Sequence, residues 1–352
     1  MVETAVHAAA LTRQVHRPDL LLFSALFHDI GKGTEEDHSE RGVRLIEPLA
    51  QRVGFSQEDV ETIKLLVKHH LLLSATATRR DLDDPATIAS VVEVIPNLQV
   101  LELLHALSIA DGEATGRAAW TDWKASLVAE LVKRVELAIT DNTVAMQPEL
   151  TEEQRKKADS GVLAVSIENR ESVYAIEIVV PDKTGLLSTV AGVLNLLRLD
   201  VRSARTKSHG NSAVMEWIVV PDPHAPDLTR ENLHRELVKG IEAEGKLGER
   251  IQARIDAYAQ MPTIPFPAPV VETFLDAATD ATVIEVRSHD RPALLFSIGD
   301  TVRKCNIDIK SAIVTTLGAE AIDTLYVTEV GGGALTAERA TEVASRIGAS
   351  LK

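Results

Sequence analysis

The chain has 352 residues, 45% of them hydrophobic, and its 37 Lys and Arg against 52 Asp and Glu leave a formal net charge of −15. That length gives two or three domains with room for buried cores, while the acidic balance excludes a broad nucleic-acid or anionic-membrane surface and leaves a small molecule or a protein as partner. One cysteine, Cys305, excludes an internal disulfide and fits a reducing cytoplasm; no signal peptide and no apolar run long enough to span a membrane is visible.

Met1 to Gln14 has helical apolar spacing at Val2, Val6, Ala9 and Ala10 with no capping residue before it, so the chain is expected to begin inside a helix. Leu20 to Gly33 (LLLFSALFHDIGKG) then runs an apolar helix, expected to be buried nearly all round, into His28 and Asp29. An imidazole and a carboxylate at the edge of an apolar core suit a divalent ion, and Gly31 and Gly33 let the backbone turn beside it. A His-Asp pair alone proves little, but it has company. His38 follows in DHSERG, in the first turn of a helix capped by Asp37 or Ser39; His69 and His70 end IKLLVKHH; Asp111 lies in LSIADGEATG. Helices are predicted at about Gln57–Leu72, Pro85–Val94, Leu98–Ala114 and Ala118–Ile139, with no period-two strand in this half. An all-α bundle must therefore bring the six ligands His28, Asp29, His38, His69, His70 and Asp111 together from helix ends.

MQPELTEEQRKKADSG reads as a polar linker, after which the period changes. Val173–Val180 is a strand, PDKTG a turn, Leu186–Leu197 a helix, Asp200–Ser208 and Ala213–Val220 a hairpin through His209-Gly210-Asn211, and Arg230–Glu244 a helix. The same order returns as Thr282–Arg287, a helix to Lys304, Ile307–Leu317, Ala321–Val330 and Thr336–Ile347. PDKTGLLSTVAGVLNLLRLDVRSA aligns with SHDRPALLFSIGDTVRKCNIDIKSA, so the second half is an internal repeat of ferredoxin-like modules. Met261–Pro269 is a proline-rich connection, and Val270–Asp276 is expected to supply the closing strand of the first module.

HDIGK, DHSERG, KHH and ADGEAT together resemble an HD-superfamily metal-dependent phosphohydrolase, and the repeated modules resemble ACT small-molecule-binding domains. HDIGKG, KHHLLLSATATRRDLDDP and ADGEATGRAAWTDWKASL, followed by two ACT-like modules, resemble more closely the C-terminal part of the bifunctional uridylyltransferase/uridylyl-removing enzymes that modify the nitrogen-signalling protein PII. The resemblance implies a multidomain chain: an all-α HD domain over 1–145, a linker over 146–170, and two α+β ACT domains over 171–276 and 277–352, pairing within or between chains. It implies metal-dependent removal of UMP from a PII tyrosine in the cytoplasm, stimulated by glutamine, with one or two Mn²⁺, Mg²⁺ or Fe ions. His28, Asp29, His69, His70 and Asp111 are then the catalytic set, with Lys32 placed to balance phosphate charge. HD hydrolases also carry a histidine on the preceding helix; the motif would place it just upstream of Met1, so the ligand set is expected to be incomplete, with His7 a weak substitute and His16 the other candidate.

A metal held by histidines and carboxylates lowers the pKa of bound water and engages phosphate oxygens. A tyrosine leaving group, of pKa about 10, needs little acid help. The ligand loops of the two modules are expected at Asp182, Lys183, Thr184, Gly185, Leu186 and Leu187, and at Asp290, Arg291, Pro292, Ala293 and Leu294, each opening a helix N-terminus to an amino-acid carboxylate, with Asp182 and Asp290 for its ammonium. Ala293 stands where glycine is usual in the family, which weighs against the second site. No Gly-Ser motif with a spaced Asp-x-Asp pair is present, so the nucleotidyltransferase half is expected to be absent from this chain. Deadenylylation of PII, hydrolysis of a guanosine polyphosphate under ACT control, and a non-catalytic glutamine-sensing fragment remain alternatives.

Overall fold

The computed structural model describes the chain except for residues 117–119, 142–148, 171–172, 224, 243, 259–265, 318 and 352. Two compact units divide it, Met1–Gln147 and Pro148–Lys352. The first is helical: α1 (Val2–Leu11), α2 (Pro18–Phe27), α3 (His38–Val53), α4 (Gln57–His69), α5 (Leu72–Arg79), α6 (Pro85–Val94), α7 (Leu98–Thr115) and α8 (Asp122–Asp141). Side chains set most of its helix starts. Asp37 accepts from the N–H groups of Ser39 and Glu40, Ser56 from Asp59, Asp84 from Ala86 ahead of Pro85, and Asn97 from Val100, each satisfying a donor that the first turn leaves orphaned. Leu20, Leu21, Ile46, Ile63, Leu66, Leu103 and Leu107 fill one core. Helix α2 is less enclosed than its composition predicts, since Leu26 is 36% exposed. The predicted helix over Gln57–Leu72 is instead two helices that break at His70-Leu71. The expected start of α8 at Ala118 lies outside the described residues.

The second unit contains α9 (Glu152–Asp159), β1 (Ala164–Arg170), β2 (Val173–Pro181), α10 (Leu186–Leu196), β3 (Leu199–His209), β4 (Ser212–Pro221), α11 (Arg230–Glu242), α12 (Glu244–Tyr258), β5 (Val270–Phe274), β6 (Thr282–His289), α13 (Leu294–Lys304), β7 (Ile307–Leu317), β8 (Glu320–Glu329) and α14 (Ala337–Ser350). Its strands form one eight-stranded sheet in the order β1-β2-β4-β3-β7-β8-β6-β5. The repeat is thus two α+β ferredoxin-like halves joined within one chain through β3 and β7, where Ala204 pairs with Ala312.

Each half leads with its own edge strand, and this corrects the expected closing strand. Val270–Phe274 pairs antiparallel with β6 and caps the second half, whereas Ala164–Arg170, read as linker, pairs with β2 and caps the first. The alternation of Val165 and Ile167 against Ser166 and Glu168 is a seven-residue pattern, too short to stand out after a charged helix. Helix α12 was also not anticipated; Leu247 and Ile251 bury it against α10. The predicted connection Met261–Pro269 falls largely outside the described residues.

Candidate metal centre

Helix α2 ends at Phe27, and His28 caps it with its N–H bonded to Ser24 O. The His28 ring is fully buried and its Nδ1 lies 2.9 Å from Ala25 O. A carbonyl can only accept, so Nδ1 carries the proton and the Nε2 lone pair is turned toward the carboxylates. His70, one residue past α4, repeats the device with Nδ1 2.7 Å from Val67 O. Both imidazoles are thereby oriented as metal ligands are, by a backbone carbonyl on the far nitrogen.

Around them the helix ends converge. His28 Nε2 lies 3.2 Å from Asp29 Oδ2 and 3.1 Å from Asp111 Oδ1, and His70 Nε2 and His38 Nε2 lie 3.6 and 4.0 Å from Asp29 Oδ1. Two potential ligand groups result among the described residues, His28-Asp29-Asp111 and Asp29-His38-His70, with Asp29 common to both. Separations of this size are what a cation about 2.1 Å from each nitrogen or oxygen imposes. Among the described residues the buried atoms His28 Nε2, Asp29 Oδ1 and His38 Nε2 have no hydrogen-bond partner, and such orphans within the two ligand groups fit a divalent ion.

The electrostatics agree. Burial opposes protonation of His28, but the Asp111 and Asp29 carboxylates outweigh it and raise its pKa to about 9. They call for positive charge at Nε2, which a proton or a cation supplies. Burial pushes Asp29 up, yet His28 and Lys32 together hold it well below the usual carboxylate range; burial lowers His70. Lys32 Nζ donates to Asp29 Oδ2 at 2.6 Å while its side chain stays 62% exposed.

Of the two histidines of KHH expected to serve, only His70 falls in a ligand group among the described residues. His69 is the last residue of α4 and is half-buried, and one residue along a helix turns a side chain by about 100°. His7 pairs with Glu113 at 2.9 Å and His16 with Glu102 at 2.8 Å, and neither joins a ligand group.

Glycines make the approach possible. A Cβ on Gly31 would lie 1.9 Å from His38 O, and one on Gly42 would lie 2.9 Å from Val67 Cγ1. The His-Asp turn and α3 therefore meet backbone to backbone, and the Val67 side chain of α4 takes the space a Gly42 Cβ would need. Gly112, next to Asp111, similarly receives the Trp120 ring, which a Cβ would meet at 2.2 Å. Gly31→Ala is expected to destabilise the helical unit by about 3 kcal/mol, the upper end for overpacking because backbone must move, and to weaken metal uptake through displaced His38; chemical denaturation and metal analysis of the variant check both.

In the second unit the expected loops reach two cavities at equivalent places in the repeat. Asp182, Lys183, Gly185, Leu186 and Leu187 line one together with Asp308, and Asp290, Arg291, Ala293 and Leu294 line the other together with Asp200. Thr184 and Pro292 line neither; the Thr184 hydroxyl and the Gly185 N–H donate instead to Asp308. Ala293 keeps the left-handed backbone of Gly185, φ 59° against 81°, so the loop survives the loss of glycine with about 1–2 kcal/mol of strain. Asp200 and Asp308 stand one at the start of each central strand, and LDV and IDI occupy matching places in the repeat, the one sequence signal that points to them.

Residues 1–112 match the HD domain family model and 174–237 the ACT domain model. A bifunctional uridylyltransferase/uridylyl-removing enzyme of Streptomyces coelicolor is 38% identical over all of this chain and 48% of its own length. A second, from Mycobacterium tuberculosis, is 42% identical over 93% of this chain and 42% of its own length. The chain therefore carries an HD domain and an ACT domain and is similar to these enzymes. It corresponds to the C-terminal half of those relatives and spans about half their length. The part matched by the HD model carries the His28, Asp29 and Asp111 convergence, and no single helix among the described residues is long and apolar enough to cross a membrane.

Proposed function

We propose that the helical unit is a cytoplasmic metal-dependent phosphodiesterase that removes UMP from a tyrosine of the modified PII protein, and that the ACT halves sense glutamine to set its rate. The sharing of Asp29 between two histidine-carboxylate groups carries this reading. His28, Asp29 and Asp111 would hold one divalent ion, and His38 and His70 with Asp29 a second. Bound there, Mn²⁺, Mg²⁺ or Fe supplies a water of near-neutral pKa and Lewis acidity toward phosphate oxygens.

The chain's own groups do the remaining work. The carbonyls of Ala25 and Val67 fix the imidazoles before substrate arrives, so little reorganisation is needed. Lys32, tied to Asp29 yet exposed, is placed to meet negative charge on the phosphate. No buried general acid is required for a phenolate leaving group. Incubating the chain with uridylylated PII and Mn²⁺ is expected to release UMP, faster with millimolar glutamine; hydrolysis of guanosine tetraphosphate with no release of UMP would overturn the substrate assignment.

A further inference from the structure

The two cavities of the second unit occupy equivalent places but differ in chemistry. In one, the loop after β2 faces the start of β7; in the other, the loop after β6 faces the start of β3. Counted from the first residues of β4 and β8, Met215 and Asp323 hold the same position, paired with Ile178 and Val286 respectively. Counted from the starts of α10 and α13, so do Asn195 and Arg303.

Asp323 is out of place by the rules of a core strand. It lies on the inward face of β8 between Ala321 and Leu325, is 1% exposed, has Val286 and Val314 as strand neighbours, and neither carboxylate oxygen has a hydrogen-bond partner among the described residues. A buried carboxylate without a partner is expensive, so its retention needs a reason. Asn195, reaching the same cavity from α10, has a buried Oδ1 that is also unpartnered. These orphans are acceptors, and Asp290 adds a second carboxylate to the lining of the cavity. They present no donor to one another. What satisfies them is a group with several N–H donors and positive charge.

The first cavity lacks this set. Met215 replaces the acid, and Arg303, bonded to Asp300 at 2.7 Å, lies over Gly185, where a Cβ would come within 2.0 Å of it. We infer that the second cavity is an ammonium-specific ligand site, with Asp323 as the ammonium acceptor supported by Asn195 and Asp290, and that the first cavity does not share this recognition. Arg202 and Arg291 line the same cavity and, with the N-terminus of α13, suit the ligand's carboxylate. At about 140 Å³ the cavity takes a molecule of amino-acid size. The inference deepens the amino-acid-sensing reading and rests on it.

Calorimetric titration of the whole chain with glutamine and with 4-carbamoylbutanoate, which is glutamine without its α-ammonium, tests it. The native chain is expected to bind one equivalent of glutamine at least about 10-fold more tightly than the des-amino analogue, and Asp323→Asn to weaken that equivalent roughly 10- to 100-fold and erase the preference. Asp290→Asn, which changes an exposed loop residue and leaves the core intact, weakens the same equivalent, while Met215→Leu leaves it unchanged. Glutamine binding with full affinity and preference in Asp323→Asn would overturn the assignment alone; a native chain that binds neither glutamine nor any other standard amino acid would overturn the sensing reading and the assignment with it.

Discussion

Asp29→Asn is expected to abolish metal uptake by the helical unit and to lower phosphodiester hydrolysis by at least roughly 10²–10³-fold, the range for losing one strongly stabilising charged group at a reaction centre. Asp29 is the only residue common to both ligand groups, and asparagine keeps its shape while removing the charge that draws a cation between His28 and His70. The neighbouring variants separate one ion from two. His38→Ala removes a ligand from the Asp29-His38-His70 group only, and Asp111→Ala from the His28-Asp29-Asp111 group only, so each is expected to bind half as much metal if two ions sit there. His69→Ala, outside both groups, is expected to change hydrolysis less than about twofold. Metal analysis of each purified variant with a chromogenic phosphodiester assay reads all four, and undiminished metal in Asp29→Asn would remove the centre from consideration.

Asp323→Asn should raise the melting temperature of the ACT unit by on the order of 10 °C at pH 8 and hardly at all near pH 4. Burial, with Asp290 adding like charge, raises the Asp323 carboxyl from 3.8 to about 7. Above pH 7 both folded and unfolded states are ionised, and the folded state bears the full penalty of about 3 pKa units, or about 4 kcal/mol at 1.36 kcal/mol per unit. As pH falls from 7 toward 4 the folded state holds a proton that the unfolded state releases, so stability recovers. Below about 4 both are protonated and no difference remains. Asparagine never ionises and escapes the whole cycle; about 4 kcal/mol at 2–4 °C per kcal/mol in a domain of this size gives the shift quoted. Melting curves of native chain and variant from pH 4 to pH 8 check the slope and its sign. A variant that gained stability while losing ammonium recognition would show a fold giving up stability for a binding function.

The helical half was legible because its local signals agree. Caps at Asp37, Ser56, Asp84 and Asn97 mark helix starts, and the apolar spacing between them has one period. The ligands were legible as types of residue at helix ends. Their phase was not: His69 and His70 are adjacent in sequence, and only the angle at which α4 meets the end of α2 selects between them. The repeat was equally plain, down to Asp182 against Asp290 and the Gly210 hairpin. Which strand closes which half was not, because Val270–Phe274 has the same alternation whether it pairs with β2 or with β6.

By itself, then, the sequence determined the all-α and α+β character of the two halves, the duplication in the second, and a supply of imidazoles and carboxylates matched to a divalent ion, since all of these follow from periodicity and residue chemistry within a few turns of chain. Tertiary structure alone decided that Asp29 is shared between two ligand groups, that His70 rather than His69 faces them, that β1 and β5 each lead their own half, and that Asp323 is stranded among core residues beside Asn195. Those outcomes depend on contacts between residues far apart in sequence, where backbone close approach at Gly31 and Gly42 and the pairing of β3 with β7 set the geometry, and no local pattern encodes them.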